Sequence, residues 1–154
     1  MAITQAMCNS FKKELMTATH NFTTSTGNTF KLALFRATAS IVGTFGYGTT
    51  NYSNMGADEV SSSGTSYTTT GLPLTNVTPT VATSTSSEVA FTDFADLTFS
   101  AVTLTTSGCL IYNSTAGGNA VAVFSFGGDK TATAGDLTII FPTANASSAV
   151  IRLS

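Results

Sequence analysis

Apolar residues near the start of the chain follow the period of an α-helix. The stripe repeats every four residues and consists of Ile3, Met7, Phe11 and Leu15, with Cys8 and Met16 widening it. Thr4 is suited to cap the start of this helix, and Lys12 and Lys13 lie toward its end, where cations complement the helix dipole. We therefore expect residues 1–28 to form an amphipathic helix followed by a turn-rich exit.

A different period begins at Thr29. Apolar side chains now alternate along the chain, with Phe30, Leu32 and Leu34 on one face of a predicted strand. This pattern predicts one strongly buried face. A glycine-rich stretch at 38–65 then interrupts the pattern, and we expect it to be a long loop of the kind that often carries function.

The second half of the chain alternates short β-prone runs with turn signals. The runs lie at 66–70, 72–81, 89–91, 95–104, 109–113, 120–126, 137–141 and 149–153, and the turns between them include 106–108 and 127–130. Many short strands at this spacing are typical of a sandwich. The predicted fold is therefore all-β, a jelly-roll-like antiparallel β-sandwich at 29–154 with an N-terminal amphipathic helix.

The composition indicates an uncharged polar surface. Charged residues make up 9% of the chain and hydrophobic residues 42%, with a formal net charge of −2; an ordinary globular domain has roughly 25% charged residues. With so little charge, copies of the chain tend to associate, and ordered assembly would hide the surface in interfaces. A threonine-rich secreted domain would share this composition. The six lysines and arginines are scattered, so we expect no nucleic-acid binding.

The start of the chain and its cysteines carry no strong signal. The basic start and unbroken apolar run of a signal peptide are missing, and no run of about eighteen apolar residues predicts a membrane helix. We expect no membrane partner. Cys8 and Cys109 lie far apart and form no CxxC motif. The apolar surroundings of Cys109 predict a buried, inert thiol, with a Cys8–Cys109 disulfide left open.

The sequence contains no recognisable catalytic constellation. GxSxG, HExxH and Walker-type glycine motifs are all missing. The single histidine, His20, follows the predicted helix without an acidic or nucleophilic signature, so a capping or packing role is expected. Asp93 and Asp96 would face opposite sides of a strand, which favours turn capping over acid–base or metal chemistry. We assign no catalytic, cofactor-binding or metal-ligating residue and predict that the protein is not an enzyme.

Two sets of apolar residues are candidates for docking to a partner. One set belongs to the predicted helix, which either plugs an end of the sandwich or lies in a groove on the partner: Met7, Phe11 and Leu15. The other set lies among the glycines of the long loop, as in binding loops, or else pins the loop to the sandwich: Phe45, Tyr47 and Tyr52.

Several stretches of the chain resemble the capsid decoration, or cement, proteins of tailed bacteriophages. They are MCNSFKKEL at 7–15, NTFKLAL at 28–34, GCLIYN at 108–113, AVAVFSFGGDK at 120–130 and IIFP at 139–142. The likeness spans most of the chain, and its motifs are structural rather than catalytic. It implies a jelly-roll-like homotrimer that binds the major capsid protein on the outside of the phage head.

The mechanism implied by this resemblance is mechanical. A cement protein cross-links neighbouring capsid subunits against the pressure of packaged DNA, and many weak contacts repeated over a lattice add up through avidity. Such a protein resides on the capsid surface of the virion and, before assembly, in the host cytoplasm. The alternative is a tail or fibre component that contacts a host receptor or carbohydrate, which predicts an exposed aromatic platform near Tyr47 and Tyr52. A secreted carbohydrate-binding module ranks third.

Overall fold

The computed structural model describes residues 3–36, 45–84 and 87–154. These residues form mostly antiparallel β structure in two sheets, which confirms the predicted β class. In chain order the elements are β1 (Ala6–Met7), α1 (Asn9–Met16), β2 (Phe30–Phe35), a 3₁₀ helix (Tyr52–Asp58), β3 (Leu72–Pro73), β4 (Asn76–Ser84), β5 (Ser87–Phe94), β6 (Leu97–Asn113), β7 (Asn119–Ile139) and β8 (Ile151–Leu153).

The larger sheet has the strand order β1-β7-β6-β2-β3 and is built around the long β6–β7 hairpin. Five of the six residues of β2 are buried, so the prediction of one strongly buried face is too narrow. Phe30 and Phe35 point to opposite faces because side chains alternate along a strand. Phe22 stacks on Phe30 at 4.3 Å and Phe45 packs on Phe35 at 4.4 Å between ring centroids. Both faces of β2 are therefore covered.

The smaller sheet has the order β4-β5-β8. It meets the larger sheet through Phe94 at the end of β5, whose ring centroid lies 5.6 Å from that of Phe30 and 6.1 Å from that of Phe22. All three rings are buried. This aromatic contact places the smaller sheet beside α1, because Phe22 lies in the segment that follows the helix.

The helix at the start of the chain is shorter than its apolar period predicts. Ala6–Met7 pairs with β7 as a strand, and Ile3 forms a β-bridge with Phe45. The helix begins after Cys8, so the expected cap at Thr4 is wrong. The physical reason is that backbone pairing with β7 satisfies the amides of this segment, including a bond from the Cys8 N–H to the Val121 carbonyl at 2.9 Å.

The helix ends where the chain turns into the left-handed region. Ala18 has φ 55°, and the N–H of Thr19 bonds to the Glu14 carbonyl at 3.0 Å. Of the predicted stripe, only Phe11 in the middle and Leu15 and Met16 at the end belong to this eight-residue helix. Phe11 is its one fully buried side chain.

The region predicted as a loop at 38–65 contains ordered structure where it is described. Residues 37–44 lie outside the described residues, but from Phe45 onward the chain follows the end of β2. Val60 N–H bonds to the Leu34 carbonyl and Arg36 N–H bonds to the Asp58 carbonyl, both at 2.9 Å. The 3₁₀ helix, which precedes Val60 in this segment, starts at a capping box formed by Asn51 and Asn54.

Two glycine-containing turns predicted in the second half are irregularities within continuous strands. β6 runs through Gly108, where the register with β7 shifts, and β7 runs through Gly127 and Gly128 at φ 71° and 140°. Glycine inside a strand often marks a bulge rather than a turn. A Cβ at Gly108 would lie 2.4 Å from the Phe124 carbonyl oxygen, so close backbone approach is the reason for this glycine.

Gly71 allows a sharper test of the packing around β2. It has φ 70°, and a Cβ there would lie 1.9 Å from the Leu32 carbonyl oxygen. Gly71→Ala should lower the free energy of unfolding by at least ~3 kcal/mol, because strain and backbone overlap add. Gly64→Ala is the control, with φ 71° and no atom within 4 Å, and should cost about 1–2 kcal/mol. Equal losses in chemical denaturation would contradict the close approach of Gly71 to β2.

Candidate functional site

An open apolar groove of about 450 Å³ lies between the end of α1 and the smaller sheet. Its volume is within the range of ligand and peptide sites in proteins. Among the described residues, no Asp, Glu, Lys or Arg side chain lines it. The apolar side chains that line it include Leu15, Ala18, Phe22, Phe91, Ile151 and Leu153.

One cross-strand row of the smaller sheet runs from Val81 to the groove, which Ala90 and the exposed Leu153 line. Val81 of β4 pairs with Ala90 of β5, which pairs with Leu153 of β8. Val81 is 59% exposed and Leu153 54% exposed, and Met16 in the last turn of α1 is 83% exposed. Single exposed apolar residues are common, but neighbouring ones beside a groove mark contact surfaces.

A partly buried hydrogen-bonded chain holds α1 in place beside the groove. Glu14 Oε2 lies 2.7 Å from His20 Nε2, and His20 Nδ1 lies 2.9 Å from the Nδ2 of Asn113 at the end of β6. Asn113 Nδ2 also donates to Asn28 Oδ1 at 2.9 Å. These bonds connect the helix to the end of the larger sheet. The ring of His20 is fully buried, so only its backbone borders the groove.

The amide of Asn113 determines the tautomer of His20. Its Oδ1 accepts the N–H of Ala116 at 3.1 Å, so its Nδ2 is the group that faces the imidazole. An amide Nδ2 only donates, so Nδ1 of His20 accepts and Nε2–H donates to Glu14. Sequence reasoning found no acidic group for His20, whereas the turn after α1 returns the histidine to Glu14. With both ring nitrogens occupied and no exposed surface, the pair serves as a structural tie.

Aromatic rings form the floor beneath this tie. The ring of His20 lies 4.9 Å from that of Phe11 and 6.1 Å from that of Phe30, between centroids. Phe11 meets Phe22 edge-on at 6.1 Å. Edge-to-face and tilted arrangements are the favoured geometries for such pairs. The wall of the groove formed by α1 thus rests on a packed aromatic cluster.

The six predicted docking residues differ in how far they are buried. Phe11 and Phe45 are fully buried in the core and are not available to a partner, which corrects the prediction for these two. Burial within the chain gives them their role, so the helix plugs the core through Phe11. Met7 lies in β1 and is half-buried, and Leu15 is half-buried in the groove. Tyr47 is 63% exposed.

Tyr52 pins the loop rather than presenting a binding platform. Its ring stacks on Tyr112 at 4.7 Å, and its hydroxyl donates to Glu59 Oε2 at 2.5 Å. Glu59 Oε1 also accepts the Tyr67 hydroxyl at 2.9 Å and the Thr70 N–H at 2.7 Å. Burial, reinforced by Glu59, raises the pKa of the Tyr52 hydroxyl, so it remains a donor.

The remaining carboxylates mostly bind backbone amides. Three of them each accept an N–H: Asp93 from Phe94 and Val150, Asp96 from Phe141, and Asp136 from Ala101. These contacts agree with the capping role that the sequence favours for Asp93 and Asp96. Among the described residues, the one contact between a carboxylate and a basic side chain is the hydrogen bond from neutral His20 to Glu14. The fold relies on charge-assisted bonds to its own backbone instead.

Asp58 departs from this rule. It is only 1% exposed, yet neither carboxylate oxygen has a hydrogen-bond partner among the described residues. Burial raises the pKa of this carboxyl, because a desolvated anion without partners is unfavourable. Asp58 therefore destabilises the folded protein when ionised.

Both cysteines are free and buried. The Cys8 thiol lies 3.9 Å from the Gly46 carbonyl oxygen, and burial raises its pKa to about 11. Burial also raises the pKa of the Cys109 thiol. The thiolate is the reactive form of cysteine, so neither side chain is activated as a nucleophile. The disulfide that the sequence left open is not formed.

No protein-family model, curated protein sequence or solved structure matched the chain. Within residues 3–36, 45–84 and 87–154, no three His, Cys, Asp or Glu side chains are grouped to hold a metal ion. In the same ranges, no helix is long and apolar enough to span a membrane.

The groove could not be predicted from the sequence. Its walls come from α1, β5 and the end of the chain, which only the tertiary fold brings together. Exposed Val81 and Leu153 lie in predicted strand segments, where apolar residues are expected to be buried. No local pattern distinguishes such positions from core positions.

The hydrogen-bonded chain through His20 predicts a specific stability loss. Asn113→Ala leaves His20 Nδ1 and the Ala116 N–H without partners and removes one of the two hydrogen bonds to Asn28 Oδ1. The free energy of unfolding should fall by about 2–4 kcal/mol. Asn119→Ala in the same hairpin is the control, because the Asn119 side chain makes no hydrogen bond to the described residues, and should change it by at most about 0.5 kcal/mol. Similar losses in the two variants would contradict the tie.

Asp58 predicts an effect of pH. Because its folded-state pKa is raised, ionisation costs stability as the pH rises above the unfolded-state value of roughly 4. Asp58→Asn should therefore raise Tm at pH 7, and the gain should vanish near pH 3, where Asp58 is protonated in both states. Glu88→Gln removes the same charge from an exposed site and should change Tm less. A gain for Asp58→Asn that is independent of pH would contradict the assignment.

Proposed function

We propose that the protein is a structural virion protein, a capsid decoration or cement protein that binds the outside of a phage head. It stabilises contacts between major capsid subunits. The observation that supports this proposal best is the apolar groove with its exposed neighbours Met16, Val81 and Leu153, in a chain with little surface charge. A protein that acts by packing needs such a surface and no reactive group.

The docking surface in this proposal differs from the one the sequence suggested. Phe11 and Phe45 belong to the core, so the contact falls to the end of α1 and to β8. β8 is an edge strand of the smaller sheet, and its free edge offers backbone groups beside the exposed Leu153. Edge hydrogen bonds and apolar burial together suit a weak contact that is repeated over a lattice.

The proposal retains the finer features that the resemblance implies. These are a jelly-roll-like organisation, association as a homotrimer, and a location on the capsid surface after assembly from the host cytoplasm. It includes neither nucleic acid nor membrane as a partner, and it assigns no enzymatic role. The structural tie of Glu14, His20 and Asn113 is compatible with a protein whose histidine supports packing.

One observation favours a second function, that of a tail or fibre component contacting a receptor or carbohydrate. Tyr47 is 63% exposed and lies between two glycines. Its carbonyl oxygen accepts the N–H of Asn9 at 2.8 Å, and this bond holds the backbone of Tyr47 beside the start of α1. A rigidly held, exposed tyrosine is suited to stack on a sugar or contact a protein.

Two variants distinguish these functions in particles depleted of the native protein. Leu153→Asp places a charge on the proposed capsid contact, and Tyr47→Ala removes the exposed ring. The cement function predicts that wild-type protein and Tyr47→Ala rebind between capsid subunits in electron cryo-microscopy maps, with occupancy of Leu153→Asp reduced at least about tenfold. Density confined to the tail, or loss of binding for Tyr47→Ala alone, would contradict it.

A further inference from the structure

We draw no further inference here: the strongest candidate, the open groove of about 390 Å³ between β7 and the segment before β8, which Cys109, Phe124 and Phe126 help to line, is an apolar surface with a single buried thiol, and nothing in the described part of the structure shows what covers it.

Discussion

The buried contact of Phe30 with Phe22 and Phe94 holds the two sheets and the helix together. Phe30 lies in β2, Phe94 in β5, and Phe22 in the segment after α1, so one buried cluster joins both sheets and the helix. His20 packs on the same ring and ties Glu14 to Asn113. The groove exists because this cluster fixes the distance between α1 and the smaller sheet.

The carboxylates of this protein stabilise its turns by accepting hydrogen bonds rather than by pairing with cations. Asp93, Asp96 and Asp136 bind backbone amides, and Glu59 binds two tyrosine hydroxyls and an amide. Bonds of this type provide partners for backbone N–H groups and tyrosine hydroxyls without adding cations to the surface. The consequence is a surface on which apolar side chains face little electrostatic repulsion from another chain.

The sequence predicted some levels of this structure better than others. The β class and the strand at Phe30–Phe35 follow from alternation of side chains, which is a local property. The predicted start of α1 was wrong. Ile3 and Met7 fit a helical period, but Ile3 pairs with Phe45 and Met7 pairs with β7. Gly108 and Gly127 predict turns but lie within continuous strands, because local signals do not distinguish a turn from a bulge. The groove required contacts distant in sequence.

In the proposed function, the uncovered apolar surface beside α1 is a contact surface for another chain. Hydrogen exchange of the backbone amides of Ile151–Leu153 tests it directly, by comparing the free protein with the protein in the assembled particle. These amides lie on an edge strand beside the groove and should exchange quickly when free. Contact with another chain should slow this exchange at least about tenfold in the particle. Equal exchange rates in the two states would contradict it.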